Sequence, residues 1–177
     1  MSLMYSSTRN KNEKVTASEA ILKGLATDGG LFVPDSIPAL DVTIEELAQM
    51  SYQDTAYAVM KQFLTDFTEE ELKSCIAKAY DSKFDTEEIA PLVEAKGAYY
   101  LELFHGSTIA FKDMALSILP HLLITSARKN KVENDIVILT ATSGDTGKAA
   151  LPVSPDVAVK ITMSFSTLFL RAEVIKR

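Results

Sequence analysis

Leu101-Glu-Leu-Phe-His-Gly-Ser-Thr-Ile-Ala-Phe-Lys-Asp-Met-Ala115 decides the fold. An apolar strand spanning Gly97–Phe104 runs into a Gly-Ser-Thr turn. The pattern beyond it predicts a helix from Thr108 to about Arg128, broken or kinked near Pro120. Gly106 is expected to let the backbone turn sharply, and Ser107 or Thr108 to cap the helix. Lys112 falls just inside that helix. The positive end of a helix dipole disfavours a nearby ammonium and favours the free amine. A free lysine amine condenses with a carbonyl, including the aldehyde of pyridoxal phosphate. In an α/β sheet ligands sit beyond the carboxyl ends of strands, which makes His105–Lys112 a candidate site. A merely solvated lysine is the competing reading.

The same order repeats downstream. Asp135-Ile-Val-Ile-Leu-Thr-Ala141 is a continuous β-branched run, suited to a strand covered on both faces. Thr142-Ser-Gly-Asp-Thr-Gly147 follows it and opens a helix. Its backbone N–H groups and hydroxyls can hold a phosphate or carboxylate, although a plain strand-to-helix turn remains open. A nucleotide-binding P-loop is excluded: Thr142 replaces its first glycine, and Ala149 follows Lys148 where Ser or Thr is needed. Strands alternating with helices predict an α/β unit with a parallel sheet.

Upstream, Met4–Thr8 reads as a short strand, and Thr16 with Glu19 as a capping box opening a helix. Asp28-Gly-Gly30 marks a tight turn before a short extended segment ending at Pro34. Residues 43–83 are helical in pattern, with acidic first turns after Thr43 and Thr68. Asp85–Val93 is expected to be one more short helix. The chain is thus read as a mostly helical N-terminal domain, 1–95, followed by a partial α/β domain, 96–177, with an atypical tail from about residue 152.

Composition narrows the function. Of 177 residues, 47% are hydrophobic and 24% charged, enough for a packed core. A net charge of −6 argues against nucleic acid as a partner. The one cysteine, Cys75, cannot form a disulfide within the chain and sits on an amphipathic helix pattern, which suggests packing and a reducing, cytoplasmic setting. Two histidines and no Cys/His cluster leave no basis for a metal site. No run is long and apolar enough for a membrane span. Met1-Ser-Leu3 reads as a cloning remnant ahead of a natural start at Met4.

Glu102-Leu-Phe-His-Gly-Ser-Thr-Ile-Ala-Phe-Lys-Asp113 closely resembles the cofactor-lysine motif of threonine synthases. Ala141-Thr-Ser-Gly-Asp-Thr-Gly147 resembles that family's second active-site loop. Tyr5-Ser-Ser-Thr-Arg9 and Asp28-Gly-Gly-Leu-Phe-Val-Pro34 are similar to its N-terminal signatures. The four motifs stand in the family's order between residue 4 and about residue 151. The resemblance implies a pyridoxal-phosphate enzyme of the tryptophan synthase β-like fold type. Such an enzyme converts O-phospho-L-homoserine and water to L-threonine and phosphate. It implies that Lys112 forms the Schiff base with the cofactor, then serves as acid and base at the substrate's α and β carbons. It also implies that Ser143, Gly144, Asp145, Thr146 and Gly147 contact the cofactor, with Ser143 and Thr146 touching substrate as well. His105 is a candidate for the substrate phosphate, with a structural hydrogen bond in the turn as the alternative. Phe111 is expected to pack and Asp113 to fix the helix start.

The resemblance stops near Leu151. Pro152 and Pro155 arrive where a crossover helix should continue. Val157–Thr162 still has strand character, but Met163–Arg177 matches nothing expected of the family, as an out-of-frame tail would. Family members are much longer, so the chain reads as an N-terminal portion lacking the glycine-rich phosphate loop. Such a portion is expected to show little activity alone, and its uncovered apolar surface favours self-association. A non-catalytic binding module and an unrelated phosphate-binding enzyme are the competing functional classes.

Overall fold

The structure, a computed structural model, describes residues 2–134, 136–142, 144–150 and 159–165. In chain order the elements are β1 Tyr5–Ser7, β2 Lys14–Val15, α1 Ala17–Lys23, β3 Phe32–Pro34, α2 Ile44–Leu47, α3 Tyr52–Phe63 and α4 Glu69–Ala79. There follow β4 Leu92–Ala95, β5 Ala98–Leu101, α5 Asp113–Leu116, α6 Leu119–Lys129, β6 Ile136–Thr142, α7 Asp145–Ala150 and β7 Val159–Phe165. They form two compact units: one runs to Ala79 and includes His121–Val132, the other comprises Tyr80–Pro120 and the chain from Glu133.

In the first unit, three helix starts use one device. Glu19 N–H donates to Thr16 Oγ1, and the Glu19 carboxylate accepts from Thr16 N–H at 2.8 Å. Thr43 with Glu46, and Thr68 with Glu71, repeat it. Each box satisfies two donors that a helix end leaves unpaired, and its cap hydroxyl is worth about 1 kcal/mol. Strands β2, β1 and β3 form an antiparallel sheet in that order, with Ser6 opposite Lys14 and Val33. Helices α3 and α4 pack together, and α4 buries Leu72, Cys75, Ile76 and Ala79. The C-terminal part of α6 closes this core. Its Thr125 hydroxyl lies 3.5 Å from Cys75 Sγ, and Lys129 pairs with Glu71 at 2.9 Å. Burial pushes the Cys75 thiol up, consistent with packing rather than nucleophilic chemistry.

The second unit departs from expectation in three places. Asp85–Val93 is not a helix: turns occupy it, and Leu92 begins β4, which pairs antiparallel with β5. The cause is the two-residue loop Lys96-Gly97, with φ of 51° and 76°. Two consecutive positive φ values make the hairpin turn that matches strand twist. The strand before the lysine loop is therefore one arm of a hairpin, not a member of a parallel sheet.

Residues 108–128 are not one helix either. α5 and α6 are separate, and Pro120 occupies the second position of α6. A continuous helix would need a Pro120 N–H and would drive its ring against the Leu116 carbonyl, so the chain restarts just before it. Third, β6 and β7 do pair in parallel, from Ile136 opposite Val159 to Thr142 opposite Phe165. Of the strand expected at Val157–Thr162, the first two residues lie outside the described residues, and β7 runs on to Phe165. The remaining tail, 151–158 and 166–177, lies outside the described residues.

Leu72 is 1% exposed. Replacing it with alanine should cost about 2–5 kcal/mol through lost transfer energy and a residual cavity. Urea unfolding should show a lower midpoint at unchanged slope, and a loss below about 1 kcal/mol would contradict this placement of the core.

Candidate active site

Between His105 and Asp113 the chain makes two successive turns. Ile109 N–H donates to the Gly106 carbonyl at 3.0 Å, and Asp113 N–H to the Ala110 carbonyl at 3.0 Å. The Asp113 carboxylate is buried, at 4% exposure, and reaches back to Thr108. It accepts from Thr108 N–H at 2.7 Å and from Thr108 Oγ1 at 2.6 Å. A Cβ on Gly106 would lie 2.5 Å from Asp113 Cβ and Oδ2, so glycine is required by this close approach and not by an unusual φ. Ile109 sits at φ 63°. For a β-branched residue that is a true outlier.

Lys112 is the N-cap residue of α5, with helical φ and ψ, rather than a residue inside a long helix. Thr108 does not cap that helix, because its hydroxyl and N–H are spent on Asp113. α5 has four residues, too few aligned peptides for the dipole argument to carry weight. The Lys112 amine has no carboxylate partner among the described residues. It lies 4.9 Å from the centroid of the Phe111 ring. Phe111 is itself 62% exposed, not packed as expected.

His105 stands at the entry to the loop. Nδ1 lies 2.5 Å from Asp85 Oδ1 and Nε2 lies 2.9 Å from Glu102 Oε2. Asp85 N–H also donates to the His105 carbonyl at 3.0 Å, and the Phe104 ring stacks on the imidazole. The carboxylates of Glu102 and Asp85 hold His105 above the usual histidine range.

The second predicted loop opens α7. Gly144 takes φ 141° and its carbonyl accepts from Lys148 N–H at 2.8 Å. Asp145 is exposed, Thr146 half-buried and Gly147 buried. Ser143 lies outside the described residues. α7 packs against α5, so the two loops open onto neighbouring helices. Sequence reasoning missed Thr108 as the partner of Asp113, Ile109 as a strained position, and Asp85 as a partner of His105. Thr and Asp five residues apart just after a Gly-Ser turn was the available signal for the first; the other two have none.

Residues 4–80 match the family described as "Threonine synthase N terminus". Threonine synthase of Saccharomyces cerevisiae is 39% identical over 166 residues, covering 85% of this chain and 32% of that protein. The Pseudomonas aeruginosa enzyme is 38% identical over 156 residues, covering 84% and 32%. Among solved structures, the yeast threonine synthase superposes with a TM-score of 0.82 at 35% identity, covering 93% of this chain and 35% of that one. The PLP-bound threonine synthase of Brucella melitensis gives 0.81 at 33% identity, covering 93% and 36%. The chain spans about a third of the length of these relatives.

The His105 contacts carry a pH signature. Its raised value means that the stabilisation is complete below the unfolded histidine value of about 6.5 and is lost as pH rises through the folded one. His105→Gln should therefore destabilise most near about pH 6, above the carboxylate range, and progressively less as pH rises through the raised folded value. Parallel denaturant melts of both proteins test this; a difference that is flat or grows with pH would exclude the double contact.

Proposed function

Because the chain belongs to the threonine synthase family, as its N-terminal portion, we propose that it supplies the cofactor lysine of an enzyme that converts O-phospho-L-homoserine and water to L-threonine and phosphate. The observation that carries the reading is Lys112: the family's motif surrounds it, and its amine has no carboxylate partner among the described residues. A lysine amine, once deprotonated, condenses with the aldehyde of pyridoxal phosphate. Bound pyridoxal phosphate supplies an electron sink for a carbanion at the substrate α carbon. Lys112 holds the cofactor through its amine and, when released, moves protons at the substrate's α and β carbons. The chemistry is that of a lyase acting on a carbon–oxygen bond to phosphate.

The turn at Ser143–Gly147 is assigned to contact with cofactor and substrate. Its support is the neighbouring position of α7 and α5 and the half-buried Thr146. Substrate recognition is assigned to Ser143 and Thr146. We give His105 the task of holding the turn, because both its ring nitrogens already face carboxylates. In this reading residues 1–95 act as a mostly helical support and residues 96–177 as the partial cofactor-binding part. Among the described residues no helix is long and apolar enough to cross a membrane, and the proposed setting is the cytoplasm. Leu92 and Tyr99 on the hairpin are 63% and 70% exposed, apolar surface that favours self-association of the isolated chain.

Incubation with pyridoxal phosphate, reduction with borohydride and peptide mass spectrometry test the reading. Lys112 should be the dominant modified lysine, with an absorbance band that Lys112→Ala abolishes. Modification spread evenly over the surface lysines would sink the assignment. Turnover of O-phospho-L-homoserine by the 177-residue chain alone should be little or none, as read by phosphate release.

A further inference from the structure

The ring that Thr108 and Asp113 close around Lys112 is not absorbed by the function above. We infer that Asp113 is a positioning residue: by binding Thr108 it holds the loop in the one shape that presents the Lys112 amine. The inference rests on the assignment of Lys112 as the cofactor lysine.

Three observations converge on it. The first is direction. A carboxylate at the first position of a helix ordinarily serves the N–H groups of that helix. The Asp113 carboxylate instead turns upstream and spends both oxygens on Thr108, at 2.7 and 2.6 Å. The second is space. Gly106 has no room for a Cβ because Asp113 stands 2.5 Å from where it would be. The chain thus gives up a side chain at the turn to admit the carboxylate. The third is strain. Ile109 is held at φ 63° inside the ring, a conformation that a β-branched residue leaves unless its surroundings over-determine it. Thr108 and Asp113 are the fixed ends between which Ile109, Ala110, Phe111 and Lys112 lie. Outside the ring, Tyr80 donates its hydroxyl to the Met114 carbonyl at 2.8 Å, which anchors the next residue of α5. Cutting the ring leaves Lys112 tethered on one side only.

A purely electrostatic role for Asp113 makes a different forecast from a geometric one. Asparagine can keep both bonds, its carbonyl accepting from Thr108 N–H and its amide donating to Thr108 Oγ1. Asp113→Asn should therefore preserve the ring, while Asp113→Ala and Thr108→Val should each open it.

The test compares the 177-residue chain with these three variants and the Thr108→Val/Asp113→Ala pair in two measurements. Amide exchange of Ile109–Lys112, read against α6 as an internal control, reports the ring without any ligand. Trace modification of lysines, by pyridoxal phosphate with borohydride and separately by acetic anhydride, reports presentation of the Lys112 amine. Asp113→Ala and Thr108→Val should each speed loop exchange at least about tenfold with α6 unchanged. Each should also lower the rate of Lys112 modification by pyridoxal phosphate relative to the other lysines, with Asp113→Asn near the parent and the double variant no worse than either single one.

Unchanged loop exchange in Asp113→Ala overturns the inference. So does faster exchange with unchanged Lys112 modification, or failure of asparagine to rescue. If pyridoxal phosphate does not select Lys112 in the parent chain, the functional assignment fails instead. The acetylation rates then decide the positioning role: a change in Asp113→Ala that asparagine reverses upholds it, and no change overturns it.

Discussion

A carboxylate taken out of water must find donors, because burying it unpaired costs several kcal/mol or forces it to neutralise. Asp113 meets that demand within six residues of chain, and the loop from Gly106 to Lys112 takes its shape from how the demand is met. The same chemistry orders the first unit. Asp28 spends its carboxylate on the Ser7 hydroxyl at 2.7 Å and on Gly30 N–H at 2.8 Å, pinning the turn before β3 to the end of β1. Those two bonds, with the ordinary attraction of Arg9, hold the Asp28 carboxyl below its usual range. A side chain at Gly30 would collide with Ser7 Oγ. In both units a glycine is needed because polar side chains approach the backbone closely, Ser7, Thr8 and Asp28 at Gly30 and Asp113 at Gly106.

This explains what could be seen in the sequence. The helix starts at Thr16, Thr43 and Thr68 were legible because a capping box is complete within four residues and needs no tertiary partner. The strand at Ile136–Thr142 was legible because a β-branched run of that length has few alternatives. The hairpin at Leu92–Leu101 was not. Its turn depends on Lys96 adopting a positive φ, which the residue type does not advertise, and Glu87-Glu88 before it imitates a helical first turn. The split of α5 from α6 was half legible: Pro120 announced a break, but whether a proline kinks a helix or starts a new one depends on the tertiary path around it.

The proposal for Lys112 rests on different grounds in the sequence and in the structure. Lys112 was singled out for its place at a helix start, yet α5 is a single short turn and cannot supply much of a dipole. Among the described residues Lys112 has no carboxylate partner, while Lys14, Lys23, Lys61, Lys73, Lys83 and Lys129 each have one within 3.0 Å. An ion pair holds an ammonium charged; a lysine meant to act as a nucleophile must avoid one.

The distribution of contacts along the chain sets what a third of a threonine synthase can preassemble. The Thr108–Asp113 bonds and the two turns of the lysine loop join residues no more than five apart, while Asp85 on His105 and Tyr80 on Met114 brace its two ends from farther along the chain. The parallel pair β6–β7 is different in kind. It pairs residues more than twenty apart in sequence, and parallel sheets are stable when further strands and covering helices close them. The ring that contains Lys112 is therefore closed by short-range bonds. In the role proposed for Lys112, short-range bonds shape the turn that bears the amine, whereas a parallel pair depends on neighbouring strands and helices for its stability.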